Sequence, residues 1–135
     1  MAVFPVKKGI NACNYDVLSK VFPTKQEDIE HIINYARTNR KIDKIIIFGS
    51  SVTWNCKVNS DIDIAIKLSQ SDDCETNSYA FADVLSSISK IIKSDFDLLD
   101  YDKISNEHLK RDIDKKGVVV YAHIAQKSSW GQSNL

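Results

Sequence analysis

Two aspartates one residue apart stand in the string Asp61-Ile62-Asp63-Ile64-Ala65-Ile66-Lys67-Leu68, whose alternation predicts a β-strand. Successive side chains of a strand point to opposite faces, so Asp61 and Asp63 share one face while the aliphatic residues take the other. Carboxylates fixed side by side suit Mg²⁺, which takes one or two of them together with phosphate oxygens and water. Alone, an Asp-x-Asp pair is more often just the solvated face of an amphipathic sheet. Its surroundings carry more. The apolar run Ile45 to Phe48 predicts a buried strand closed by Gly49, and Phe48-Gly49-Ser50-Ser51 follows the pattern of a phosphate grip. Glycine lets the backbone approach a ligand, and exposed amides with the Ser50 and Ser51 hydroxyls can hold phosphate oxygens. Ten residues, the last of them Ser60, separate Ser50 from Asp61. A third run, Phe96 to Tyr101, carries Asp97, with Asp95 on the same face if the strand begins early. Moving a nucleotidyl group calls for such a cluster, because two Mg²⁺ ions roughly 3.5–4 Å apart can neutralise a triphosphate and support the attacking and leaving oxygens.

These residues need a scaffold, and the periodicities supply one. Residues 1 to 23 form an N-terminal extension of weak periodicity, with one short helix at Tyr15 to Phe22. Thr24-Lys25-Gln26-Glu27 reads as a capping box, followed by Ile29, Ile32, Ile33 and Ala36 at helical spacing as far as about Asn39. Phe81, Val84, Leu85, Ile88, Ile91 and Ile92 form a second long helix after the Ser/Asp/Asn-rich stretch 69–78, which supplies turn and cap residues. Ser105 to Lys116 is a last helix, and Val118 to Tyr121 a fourth strand. The expected fold is α+β: a small mixed sheet of about four strands with helices packed on it. In it the first two strands pair antiparallel across a short loop, and the third is parallel after its helical crossover. The domain spans 24–123, and 124–135 is a loose polar tail.

Bulk properties narrow the function. The chain has 135 residues, enough for one domain and a core without staples. Eighteen Lys and Arg balance eighteen Asp and Glu, so no overall field draws it onto nucleic acid or an anionic membrane. The three cysteines, Cys13, Cys56 and Cys74, form no zinc-ligand spacing and fit a reduced, cytoplasmic setting. His31, His108 and His123 have no metal-ligand spacing either. No apolar run approaches the roughly 20 residues of a membrane span.

Taken together, a strand ending in Gly49-Ser50, ten residues, Asp61-Ile62-Asp63 and a later Asp97-Leu98-Leu99 resemble the minimal nucleotidyltransferases of the DNA polymerase beta-like superfamily. The resemblance covers roughly residues 24 to 122. It extends to the basic helix Leu109-Lys110-Arg111-Asp112-Ile113 and to Gly117-Val118-Val119-Val120-Tyr121. It implies the nucleotidyltransferase fold, with Gly49, Ser50, Ser51 and Ser60 about the nucleotide and Asp61, Asp63 and Asp97 as metal ligands. Asp97 is preferred to Asp95 because the family's aspartate directly precedes an aliphatic pair, and it would help activate the attacking hydroxyl. Two Mg²⁺ ions and an NTP, most simply ATP, are the cofactor and substrate so implied. One departure stands out: where many members carry Arg and Gly, this chain has Thr53 and Trp54. Trp54 either stacks on a base or partner, or covers the sheet. Lys110, Arg111, Lys115 and Lys116 read as a solvated helix face, with phosphates or an acidic partner as the alternative.

By the same resemblance, stand-alone members of this kind are antitoxins that adenylylate a HEPN-type toxin, making a protein acceptor and a hetero-oligomer the expected partners. Two other readings stay open: a catalytically weak binding module that neutralises its partner by contact, and a homodimer modifying a small molecule of the aminoglycoside kind.

Overall fold

The computed structural model describes residues 2–70 and 73–123. The elements run α1 (Tyr15–Leu18), α2 (Pro23–Arg37), β1 (Ile42–Phe48), β2 (Ile62–Leu68), α3 (Cys74–Ile91), β3 (Phe96–Asp100), α4 (Glu107–Lys116) and β4 (Val118–Ala122). Short 3₁₀ turns at Ala12–Asn14, Gly49–Val52 and Tyr101–Lys103 complete them. The four strands form one mixed sheet in the order β3-β2-β1-β4. β1 is antiparallel to β2 and to β4, while β2 and β3 are parallel, so the expected α+β arrangement and both expected pairings are present.

The two sheet faces bury different things. Ile62, Ile64, Ile66 and Leu68 of β2, with Ile45 and Ile47 of β1, pack beneath Ile29, Ile32, Ile33 and Ala36 of α2 and Val84 and Ile88 of α3. That is the main core. On the opposite face Ile46 and Ala65 meet Ile113 of α4, with Phe48, Tyr101, Ile104 and Leu109 around them. α4 is fastened there by the Tyr101 hydroxyl, which donates to Asp114 Oδ1 at 2.6 Å, and by the Lys110 ammonium, 4.8 Å from the Tyr101 ring centre. The Asp114 hydrogen bond is the main reason the Tyr101 phenol is pushed up to about 12.

Several element ends differ from the sequence reading. Thr24 does not cap α2: Pro23 lies in the first turn and Phe22 is the N-cap residue, with no side-chain bond. Proline's fixed φ and missing N–H suit that position, which moves the helix start ahead of the apparent capping box. α3 begins inside the polar stretch, because the Asp73 side chain accepts from Glu75 N at 3.0 Å and caps it there. β1 starts at Ile42, opposite Leu68. Of the stretch read as one short helix at Tyr15 to Phe22, only Tyr15–Leu18 is helical, and a 3₁₀ turn at Ala12–Asn14 precedes it.

The segment read as an N-terminal extension contributes Phe4, Ile10, Leu18 and Val21 to the buried residues. The buried Gln26 stitches it down: its amide donates to Pro5 O at 2.8 Å and Val21 O at 3.0 Å, and its oxygen accepts from Lys7 N at 2.9 Å. The tail read at 124–135 lies outside the described residues. Among the described residues no helix is long and apolar enough to cross a membrane.

Candidate active site

Strand alternation decides where the carboxylates go. With Ile62, Ile64 and Ile66 directed into the main core, Asp63 and Ala65 face the α4 side. In the parallel pair Asp63 stands opposite Asp97, and across β1 it stands opposite Phe48. Phe96 and Leu98 pack with the main core, which turns Asp97 to the same face as Asp63. Asp61 lies one residue ahead of β2 rather than within it, exposed, as Asp97 is; Asp63 is half-buried. Burial, and then the negative charges of Asp97 and Asp61, push the Asp63 carboxyl above its ordinary value. The three carboxylates are therefore electrostatic neighbours, and Asp95 is not among the charges acting on Asp63.

The Gly-Ser turn adjoins them. Gly49 has φ +74°, and a Cβ built there would collide with the Asp63 carboxylate. Both the left-handed backbone and the closeness of approach demand glycine. Ser50 is half-exposed, and its carbonyl accepts from the Thr53 amide and the Thr53 hydroxyl, both at 3.0 Å. Ser51 is fully buried; its hydroxyl has no hydrogen-bond partner among the described residues, and its carbonyl accepts from Phe22 N at 2.8 Å. The Ser60 hydroxyl accepts from Lys57 N at 2.9 Å and closes the turn leading to Asp61. Gly49 and Ser50 thus border the carboxylates, Ser51 is sealed into the protein, and Ser60 shapes the approach.

Two features escaped the sequence reading. Lys25 of α2 is only 1% exposed, and its ammonium donates to Val58 O at 3.1 Å and to Ser94 Oγ at 3.4 Å. One residue on, Asp95 O accepts from Ile62 N at 2.9 Å. Beside Lys25, Asp28 accepts from the amides of Lys93 at 3.1 Å and Ser94 at 3.0 Å. Burial alone would raise the Asp28 carboxyl; hydrogen bonds from the Ser94 side chain and from those amides, with the charge of His31, outweigh it and hold the carboxyl below its ordinary value. α2 therefore clips the loop that leads into β2 to the segment that leads into β3, the two strands that carry Asp63 and Asp97. The second feature is a pocket of about 740 Å³ between the Gly-Ser turn and α4, lined in part by Gly49, Ser50, Trp54, Leu109, Lys115 and Lys116.

Among the described residues no three His, Cys, Asp or Glu side chains make a ready metal cage. The donor set still fits Mg²⁺. It offers hard carboxylate oxygens on adjoining strands, beside a glycine turn that leaves room for phosphate, and Mg²⁺ on a nucleotide takes several ligands from phosphate and water.

The sequence profile of the "Polymerase beta, Nucleotidyltransferase" family matches residues 30–125. The chain belongs to that family. No curated protein matches it significantly. Similar solved structures include a toxin-antitoxin with AMP-PNP, 26% identical over 72% of this chain and 74% of that chain with a TM-score of 0.49. Another is a tri-AMPylated Shewanella oneidensis HEPN toxin in complex with MNT antitoxin, 24% identical over 73% of each chain with a TM-score of 0.47. A third is the toxin-antitoxin MntA-HepT, 25% identical over 73% of each chain with a TM-score of 0.46.

Proposed function

We propose that this protein transfers AMP from ATP to a hydroxyl of a protein acceptor in the cytoplasm, with Mg²⁺ bound at Asp61, Asp63 and Asp97. The observation that carries this reading is Asp63, opposite Asp97 in register, its carboxyl raised by burial and then by the charges of Asp97 and Asp61, and in contact range of the one glycine the turn demands. Bound Mg²⁺ would supply the positive charge that offsets the triphosphate and the developing oxyanions. The chain's own residues do the rest. Backbone amides at Gly49 and Ser50 orient the phosphates. Asp97, exposed on β3, takes the proton as the acceptor oxygen bonds to the α-phosphorus. The bond from that phosphorus to the bridging oxygen then breaks, and pyrophosphate leaves.

The acceptor side of the site is open. Asp61 and Asp97 are exposed, and the described residues form a single sheet with its helices, without a second lobe to enclose a small acceptor. A macromolecular hydroxyl suits that shape, and the HEPN-type toxin implied by the family resemblance is the partner we assign. To test this, the protein is incubated with α-labelled ATP and Mg²⁺ in lysate of its source organism, beside an Asp61→Asn/Asp63→Asn variant. A labelled protein band formed only by the wild type is the expected result. Absence of label with every NTP overturns the transferase and leaves a binding module that acts by contact.

A further inference from the structure

We infer that the pocket between the Gly-Ser turn and α4 holds the nucleotide itself, with the base on Trp54 and the outer phosphates held by Lys115 and Lys116; this rests on the transferase reading above. Three observations converge. First, Trp54 is 64% exposed, so it covers little of the core, yet its ring is not free. Phe4 lies 4.5 Å from it, centre to centre, and Phe22 6.1 Å from it edge-on. An exposed indole held by two aromatic neighbours and lining a pocket is a pre-organised stacking platform, and every base has a face to offer it.

Second, the same pocket is lined by Gly49 and Ser50 of the turn and by Lys115 and Lys116 of α4. Asp112 offsets part of the Lys116 charge at 3.8 Å, which leaves a net positive rim. Lysine binds phosphate as a point charge. Third, Thr53 of the same turn is uncharged and its hydroxyl is turned to the Ser50 carbonyl. The cations that line this pocket, Lys115 and Lys116, come from α4. Leu109 adds apolar lining. A ligand with an aromatic end and a polyanionic end, seated against Gly49, brings its phosphates to the turn that Asp63 adjoins, in the pocket that the α4 lysines line.

The test uses a Trp130→Phe background, in which Trp54 is the only remaining tryptophan of the chain's two. ATP with Mg²⁺ quenches Trp54 fluorescence, and inorganic tripolyphosphate displaces ATP without quenching on its own. In calorimetric titrations Trp54→Leu weakens ATP roughly tenfold and leaves tripolyphosphate unchanged, while Trp54→Phe recovers most of the loss. Lys115→Ala with Lys116→Ala weakens both ligands. Circular dichroism verifies that each variant is folded, and the Lys115→Ala/Lys116→Ala variant decides the matter if Trp54→Leu is not. ATP binding that is indifferent to these substitutions, while the wild type still labels an acceptor, overturns this site and spares the transferase. A wild-type protein that binds no NTP overturns both.

Discussion

Asp63 and Asp97 are register partners across the parallel β2–β3 pair, and burial, followed by the like charges of Asp97 and Asp61, holds the Asp63 carboxyl above its ordinary value. A carboxyl raised in the folded state binds more proton there than in the unfolded chain. It therefore subtracts stability at neutral pH and stops doing so below its unfolded value of 3.8. Asp63→Asn is expected to raise Tm at pH 7 in metal-free buffer, with a gain that fades as the pH falls through the raised folded value and is gone below 3.8, and to abolish transfer. Thermal melts across pH 3 to 8 check it; a variant that melts lower at pH 7 would make Asp63 a structural residue.

Asp97 and Asp95 separate by role. Asp97→Asn should lower the transfer rate by about 10²–10⁴, the contribution of a positioned base. Asp95→Asn should leave it near wild type, because the Asp95 backbone carbonyl, not its side chain, bonds Ile62 N. Single-turnover rates with labelled ATP decide between them.

Gly49→Ala meets two obstacles at once. The left-handed backbone costs a non-glycine residue about 1–2 kcal/mol, visible in urea unfolding, and the new methyl displaces the Asp63 carboxylate. Transfer should be lost although the chain still folds.

Lys25→Met tests the clip between the strands. The apolar stem is kept, and no carboxylate bonded to the ammonium is left stranded, so the melting temperature should change little. Without the bonds to Val58 and Ser94 the two aspartate-bearing strands are less firmly aligned. The transfer rate should fall roughly ten- to hundredfold while the ATP Kd holds. An unchanged rate would make Lys25 a packing residue only.

Asp28→Ala removes the acceptor for two backbone amides, at a cost of about 1.5–3 kcal/mol at neutral pH. Since the Asp28 carboxyl is held below its ordinary 3.8, its stabilising effect is complete above that value and disappears as the pH drops through the lower folded value. Wild type and variant should converge in acid, as denaturant titrations at several pH values will show.

Much of this arrangement was legible in the residue order. Alternation in 62–68 and the helical spacing of Ile29, Ile32, Ile33 and Ala36 state their elements outright, and the Gly49-Ser50 to Asp63 string places its groups on neighbouring strands. What stayed hidden depends on three-dimensional neighbours. Phe4, Ile10, Leu18 and Val21 are too irregularly spaced to announce that they are buried. Lys25 reads as a surface lysine because nothing local indicates a carbonyl thirty-three residues away. Lys115 and Lys116 read as the polar end of a helix until α4 is laid beside the Gly-Ser turn.

The strand order β3-β2-β1-β4 also ranks the aspartates by how firmly they are held. Asp63 rides on a strand laced on both sides, whereas Asp97 rides on an edge, with one neighbour to resist fraying. Amide hydrogens of β2 should therefore exchange with deuterium more slowly than those of β3. Of the two strand-borne carboxylates, Asp97 is the one whose placement can drift over evolutionary time, or be re-engineered, without dismantling the sheet.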